Sequence, residues 1–181
     1  MSTELPVLTL GEYIVALIDA LSDAHPSMLA RMRVIVEARR AHIILDDEAV
    51  EVSFDQDGRL HVQPASGKHV ISGMGATDTA TVLKLLDGHL EVSGAVLGDR
   101  LRVYGKDDDI MRMFMAIGIL LDASPRTPAL QELAARFISD RRGRFASVAS
   151  DFRHVSWYPF SPEPDELRLL KKLDLLPDET S

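Results

Sequence analysis

The sequence predicts an α+β fold: a mixed, largely antiparallel sheet of five strands covered by helices, followed by a C-terminal helical extension. Three observations predict this class. Before residue 40, apolar residues recur at helical spacing. Over residues 41–72, they alternate with polar residues. After residue 77, they return to helical spacing, interrupted by one short strand. Helices repeat every three to four residues and strands every two, so each change of period marks a change of element.

The first helix begins at a capping box. Thr9 is followed three residues later by Glu12, so each side chain can satisfy the other residue's backbone amide. This helix is predicted to run to about Leu21, and Pro26 breaks it. Ser27 can cap a second helix over residues 28–40, although residues 32–36 could also be extended.

Four strands are predicted next, over residues 42–45, 50–54, 60–62 and 69–72. In the second, apolar residues at 50, 52 and 54 alternate with polar ones, which is typical of a half-buried strand. Gly58 can supply the positive φ of a hairpin turn. The sequence Gly73-Met74-Gly75 lacks the third glycine of a dinucleotide-binding loop, so we interpret it as a turn.

The stretch 110–121 is the most unusual part of the chain. It follows a helix over residues 79–87, a short helix ending at Gly98 and a strand over residues 100–104. Ten of its twelve residues are apolar, whereas a surface helix is normally apolar along one stripe. The buried core, a partner subunit or a bound ligand could each cover it. The acidic residues 107–109 favour a helix start through the helix dipole rather than a cation site.

Composition excludes several classes of function. The net charge of −8 argues against nonspecific nucleic-acid binding. The absence of cysteine excludes disulfides, thiolate metal sites and a cysteine nucleophile. Neither a zinc-binding histidine spacing nor a G-x-S-x-G motif occurs, so we expect no cofactor or metal, and an enzyme is the less favoured interpretation.

With no signal peptide pattern and no apolar run of about 18 residues, we expect a cytoplasmic protein without a membrane span. The excess of arginine over lysine favours a bacterial source.

The chain divides into N-terminal helices (1–40), a core (41–122) and an extension (123–181). In the extension, Pro128 starts a helix to about Arg141, residues 156–164 are aromatic and proline-rich, and residues 165–176 form a short amphipathic helix. The extension can pack on the core or on a second subunit, which would make a homodimer. Arg141, Arg142 and Arg144 could bind a phosphate headgroup, or simply end a solvated helix.

Residues 41–122 resemble the sterol carrier protein type-2 domain. The resemblance rests on the order of elements and on residues 87–105, where a helix ends in glycine, a short second helix follows, and the strand Arg100-Leu101-Arg102-Val103 leads to Gly105. Residues 50–54 and 60–62, joined through Asp57-Gly58, match the second and third strands of the family.

The resemblance implies a hydrophobic tunnel between sheet and helices that holds a sterol, fatty acid, acyl-CoA, isoprenoid or phospholipid, with the last helix as one wall. The function expected is non-catalytic binding or transfer of such a ligand. An interaction protein with a filled tunnel, and an enzyme of lipid or polyketide metabolism that uses the pocket, are the alternatives. The predicted wall residues are Leu83, Leu86, Val96, Leu97, Met111, Phe114, Met115, Gly118 and Leu121.

Overall fold

A computed structural model of the chain describes residues 6–145. In chain order its elements are α1 (Leu10–Ala24), α2 (Pro26–Val36), β1 (Arg40–Leu45), β2 (Glu48–Phe54), β3 (Leu60–Pro64), β4 (Gly73–Thr77), α3 (Thr79–Leu86), α4 (Val92–Leu97), β5 (Leu101–Gly105), α5 (Asp107–Ala123) and α6 (Pro128–Phe145). The predicted α+β class is confirmed. Among residues 6–145, no helix is both long and apolar enough to cross a bilayer.

The five strands form one mixed sheet in the order β3-β2-β1-β4-β5. β1, β2 and β3 form the predicted antiparallel meander. β4 then pairs in parallel with β1, and β5 pairs antiparallel with β4. Ile43 lies opposite Val50 on one side and Gly75 on the other, and Gly75 lies opposite Val103. Because side chains alternate along a strand, these residues share one apolar face of the sheet.

The fourth strand lies later than predicted. Residues 69–72 belong to the connection between β3 and β4, and Gly73-Met74-Gly75 is part of β4 rather than a turn. The glycines permit a close approach by Met113 of α5. A Cβ atom at Gly73 would lie 2.6 Å from the Met113 sulfur, and one at Gly75 would lie 3.6 Å from its methyl carbon. Glycine within a strand often marks such a contact.

The first helix begins as predicted, whereas the second begins earlier than predicted, with His25 and not Ser27 at its N-cap position. The Thr9 amide donates to Glu12 Oε2 at 2.7 Å, and the Glu12 amide donates to Thr9 Oγ1 at 3.3 Å, so the capping box is confirmed. Pro26 is the first residue of α2 and not only the break before it. The prediction that this helix continues to residue 40 is wrong, because Glu37 takes a φ of 50° and ends it.

Two apolar clusters form the core. One joins α1, α2, α5 and α6 with Phe54 of β2, and the other joins the start of α1 with Leu45 of β1 and Phe137 of α6. The Tyr13 and Phe137 rings meet edge to face with centroids 5.2 Å apart. The first helix of the extension is therefore packed on α1. The elements predicted over residues 156–164 and 165–176 lie outside the described residues.

Candidate ligand-binding surface

The start of α5 is held against the end of α2 by charged groups. Arg39 donates from Nε to Asp109 Oδ1 at 2.6 Å and from Nη2 to Asp108 Oδ2 at 2.9 Å. Arg112 reaches back to the backbone oxygen of Ile35 at 2.7 Å. The negative charges of the first turn interact favourably with the positive end of the helix dipole. Their ion pairs with Arg39 also fix the orientation of α5. Within residues 6–145, no group of three or more His, Asp or Glu side chains is arranged to hold a metal ion.

One side of α5 is buried. Ile119 and Ala123 lie in the core cluster that includes α2, and Met113 lies on the glycines of β4. Ala116 and Leu120 pack against the same cluster, and together these residues span about a third of the helix circumference as one broad inner face. Because α2 and β4 cover this inner face, the exposed part of α5 lies on the opposite side of the helix.

The opposite side of α5 carries an uncovered apolar row. Met111 is 61% exposed, Met115 44% and Leu121 56%, and Gly118 between them is also exposed. Their spacings of four, three and three residues place them along one side of the helix. We call Met111, Met115, Gly118 and Leu121 the α5 stripe. All four are among the predicted wall residues, and they lie on the outer side of α5, away from the core.

The other predicted wall residues lie in different surroundings. Leu83 packs into the core cluster around Leu45, and Val96 and Phe114 are half-buried. Leu86, at the end of α3, and Leu97, at the end of α4, are exposed. The exposure of Leu86 and Leu97 adds two apolar side chains to the solvent-facing surface.

A shallow groove of about 430 Å³ lies between α1 and the edge strand β3. Its apolar part is formed by Gly11, Val15, Ala16 and Val62, and the rest of its lining includes Glu12 and Asp19. No predicted wall residue lines it. Sequence reasoning missed this groove because its two sides are separated by about 45 residues and neither carries a recognisable motif.

Arg141, predicted to bind a headgroup, is paired inside the protein. It is 5% exposed, its Nη2 lies 2.5 Å from Glu48 Oε1, and its guanidinium lies 5.6 Å from the centre of the Phe137 ring. Glu48 Oε2 also accepts a hydrogen bond from the Leu10 amide at 2.6 Å. The pair therefore ties α6 to β2 and to the start of α1. The side chains of Arg142 and Arg144 lie outside the described residues, so their headgroup role stays a prediction.

A buried carboxylate anchors the connection between β3 and β4. Glu51 is 2% exposed, and its Oε1 lies 3.0 Å from Arg40 Nη1, 3.0 Å from Gln63 Nε2 and 2.9 Å from His69 Nδ1. His42 Nε2 lies 3.5 Å from the other oxygen. Because His69 belongs to the connection and the other residues to the sheet, the carboxylate holds the connection on the sheet. Burial raises the pKa of Glu51, but the hydrogen bonds from His69 and Gln63 and the nearby ring of His42 outweigh burial and leave the pKa below its usual value.

This arrangement predicts a specific loss of stability in acid. A carboxyl whose pKa is lowered on folding stabilises the fold fully above its unfolded pKa, here 4.5, and the stabilisation is lost as the pH falls through the folded pKa. We expect Glu51→Gln to lower the melting temperature at neutral pH, and we expect the difference from the wild type to shrink below about pH 4. Thermal unfolding between about pH 3 and pH 7 measures it. Asp19→Asn, at an exposed carboxylate of α1, is the control, and a Glu51→Gln difference that is constant with pH would contradict the prediction.

Comparison with known proteins gives matches among solved structures alone. No protein-family model matches the chain, and no curated protein matches it. The chain is similar to a UbiJ-SCP2 ubiquinone synthesis protein, with 12% identity over 66% of this chain and 98% of that one and a TM-score of 0.47. It is also similar to the apo form of sterol carrier protein 2 from Yarrowia lipolytica, with 19% identity over 68% and 98% of the two chains and a TM-score of 0.45.

A third similar structure is the sterol carrier protein domain 2 of Helicoverpa armigera, with 12% identity over 66% of this chain and 95% of that one and a TM-score of 0.46. All three of these proteins carry SCP2 or sterol carrier protein in their names.

Proposed function

We propose that this protein binds an apolar small molecule on the α5 stripe and performs no chemistry on it. The ligand class is a fatty acyl, isoprenoid, sterol or phospholipid chain. The observation that carries the proposal is the unbroken exposed row of Met111, Met115, Gly118 and Leu121. Single exposed apolar residues are ordinary in folded domains, whereas a contiguous apolar patch is typical of an interaction surface.

The composition of the stripe favours binding of apolar chains of varied shape. Methionine side chains are unbranched and polarizable, so they adapt to different apolar partners. Complete burial of one such side chain contributes about 1.5–3 kcal/mol, and each of the three side chains still has roughly half of that burial left to gain. The stripe holds no titratable or nucleophilic group, so its residues can bind a ligand but have no means of breaking a bond in it.

In this proposal, the N-terminal helices, the core and the extension have different roles. Residues 41–122 form the binding core, with α1 and α2 supporting α5 from the N-terminal part. α6 closes the core on the side of α1. We assign the polar end of a ligand to Arg142 or Arg144 rather than to Arg141, because the charge of Arg141 is already matched by Glu48.

Native mass spectrometry and a binding titration test the proposal. We expect the purified protein to carry a lipid adduct that is lost after denaturation and refolding, and we expect the refolded protein to bind a fluorescent fatty acid saturably. If the purified protein carries no adduct and the refolded protein shows no saturable signal, the proposed function is wrong.

A further inference from the structure

The edge strand β3 presents unpaired backbone groups on its outer side. The Ala65 amide donates to the Ala49 oxygen at 3.0 Å, so these two residues form a hydrogen-bonded pair at the end of the β2–β3 ladder. Such pairs alternate with non-hydrogen-bonded ones along antiparallel strands, so Leu60, Val62 and Pro64 direct their backbone groups away from β2. None of these outward groups forms a hydrogen bond with a residue between 6 and 145.

The groove between α1 and β3 lies beside this open edge. Val62 lines it from the strand, and Val15 and Ala16 line it from the helix. The side chain of Val62 points towards α1, because a Cβ atom at Gly11 would lie 3.3 Å from Val62 Cγ1. A strand added beside β3, about 4.8 Å away, would direct every second side chain towards the same side of the sheet. Those side chains would enter the groove.

The groove also carries an unpaired negative charge. Glu12 and Asp19 belong to its lining. The Glu12 carboxylate already accepts hydrogen bonds from the Thr9 amide and hydroxyl. Asp19, in contrast, is exposed and forms no hydrogen bond or ion pair within residues 6–145. Its charge favours a ligand with a positive group and repels the carboxylate of a fatty acid.

We propose that this edge and groove bind an extended peptide segment of another protein, which joins the sheet as a strand beside β3. The peptide backbone pairs with Leu60 and Val62, an apolar side chain packs on Val15 and Val62, and a lysine or arginine pairs with Asp19. A row of N–H and C=O groups is matched by another backbone, whereas a lipid chain would leave the row unpaired. This surface is separate from the α5 stripe, so the inference does not depend on the proposed function.

A designed peptide tests the inference by NMR of the isotope-labelled full-length protein. The probe is Ser-Lys-Thr-Val-Thr-Lys-Ser, in which the valine and both lysines share one face of a strand in either direction. The Leu60 and Val62 amide signals are expected to shift saturably, and both amides should exchange more slowly with deuterium. The same peptide with an N-methylated valine cannot donate to the edge, so it is expected to bind about tenfold more weakly.

Variants of the protein locate the peptide within the groove. Asp19→Lys replaces an attraction by a repulsion, so it is expected to weaken the lysine peptide about two- to thirtyfold and to favour a peptide with glutamate in place of lysine. Val15 is 40% exposed, and the burial it would gain predicts about three- to eightfold weaker binding for Val15→Asn. Val34→Asn, on α2, is the matched control and should leave the affinity unchanged.

Several results would overturn the inference. These are the absence of a saturable shift, equal binding of the N-methylated peptide, and shifts confined to residues outside α1 and β3. Leu60 and Val62 amides that are already protected without peptide would show that the edge is occupied by the chain itself. A fatty acid that displaces the peptide and shifts the same signals would make the groove a lipid site. Melting temperatures establish that each variant is folded.

Discussion

Replacing Glu48 by alanine is expected to lower the free energy of unfolding by about 3 kcal/mol. The change leaves the buried guanidinium of Arg141 without its counter-charge and removes the acceptor of the Leu10 amide. Removing one partner of a buried ion pair costs about 3–5 kcal/mol, and the partial exposure of Glu48 places the expected loss at the lower end of that range. Urea unfolding at neutral pH measures the change.

Apolar replacement of the whole pair provides the control for this prediction. Arg141→Met alone removes the charge of the arginine, and Glu48→Leu combined with Arg141→Met replaces the pair by apolar side chains of similar size. Because apolar replacement of a whole buried pair is often neutral, the combined variant is expected to lose less stability than Glu48→Ala. A loss below about 1 kcal/mol for Glu48→Ala would instead show that solvent screens the pair.

Changing Met111 and Met115 together to aspartate is expected to weaken fatty-acid binding at least about tenfold. Each methionine has roughly half of its burial left to gain from a ligand, so the two together supply about 1.5–3 kcal/mol, and a factor of ten corresponds to about 1.4 kcal/mol. The introduced carboxylates would also have to lose water on binding. Since both side chains are largely exposed, the melting temperature should change little. A fluorescence titration measures the affinity.

Val34→Asp is the matched control for the methionine variant. Val34 is 73% exposed on α2 and lies outside the α5 stripe, so this variant introduces one carboxylate at an exposed apolar position away from the stripe. Its affinity for the fatty acid should equal that of the wild type. If Val34→Asp and the methionine variant bind equally well, α5 is not the binding surface.

The elements that sequence reasoning predicted correctly are determined by nearby residues. The capping box of α1 depends on Thr9 and Glu12 alone, and the alternation in β2 depends on seven consecutive residues. The features it missed depend on distant contacts. β4 contains Gly73 and Gly75 because Met113 of α5 lies on them, some 40 residues later in the chain.

The orientation of α5 could not be predicted for a related reason. A helix that is apolar on nearly every side carries no periodic signal to show which side is buried. α2 and β4 pack against one side of α5, so Met111, Met115 and Leu121 lie on its exposed side. Likewise, the basic residues near the end of α6 did not reveal that Arg141 pairs with Glu48, far away in the sequence.

Photo-crosslinking tests most directly whether α5 binds the ligand. The purified protein is irradiated with a photoactivatable fatty acid and digested, and the labelled peptides are identified by mass spectrometry. Binding at the α5 stripe predicts label on the peptide that contains Met111 and Met115, reduced when an unlabelled fatty acid competes. Label confined to α1 and β3, around the groove formed by Val15 and Val62, would contradict binding at α5.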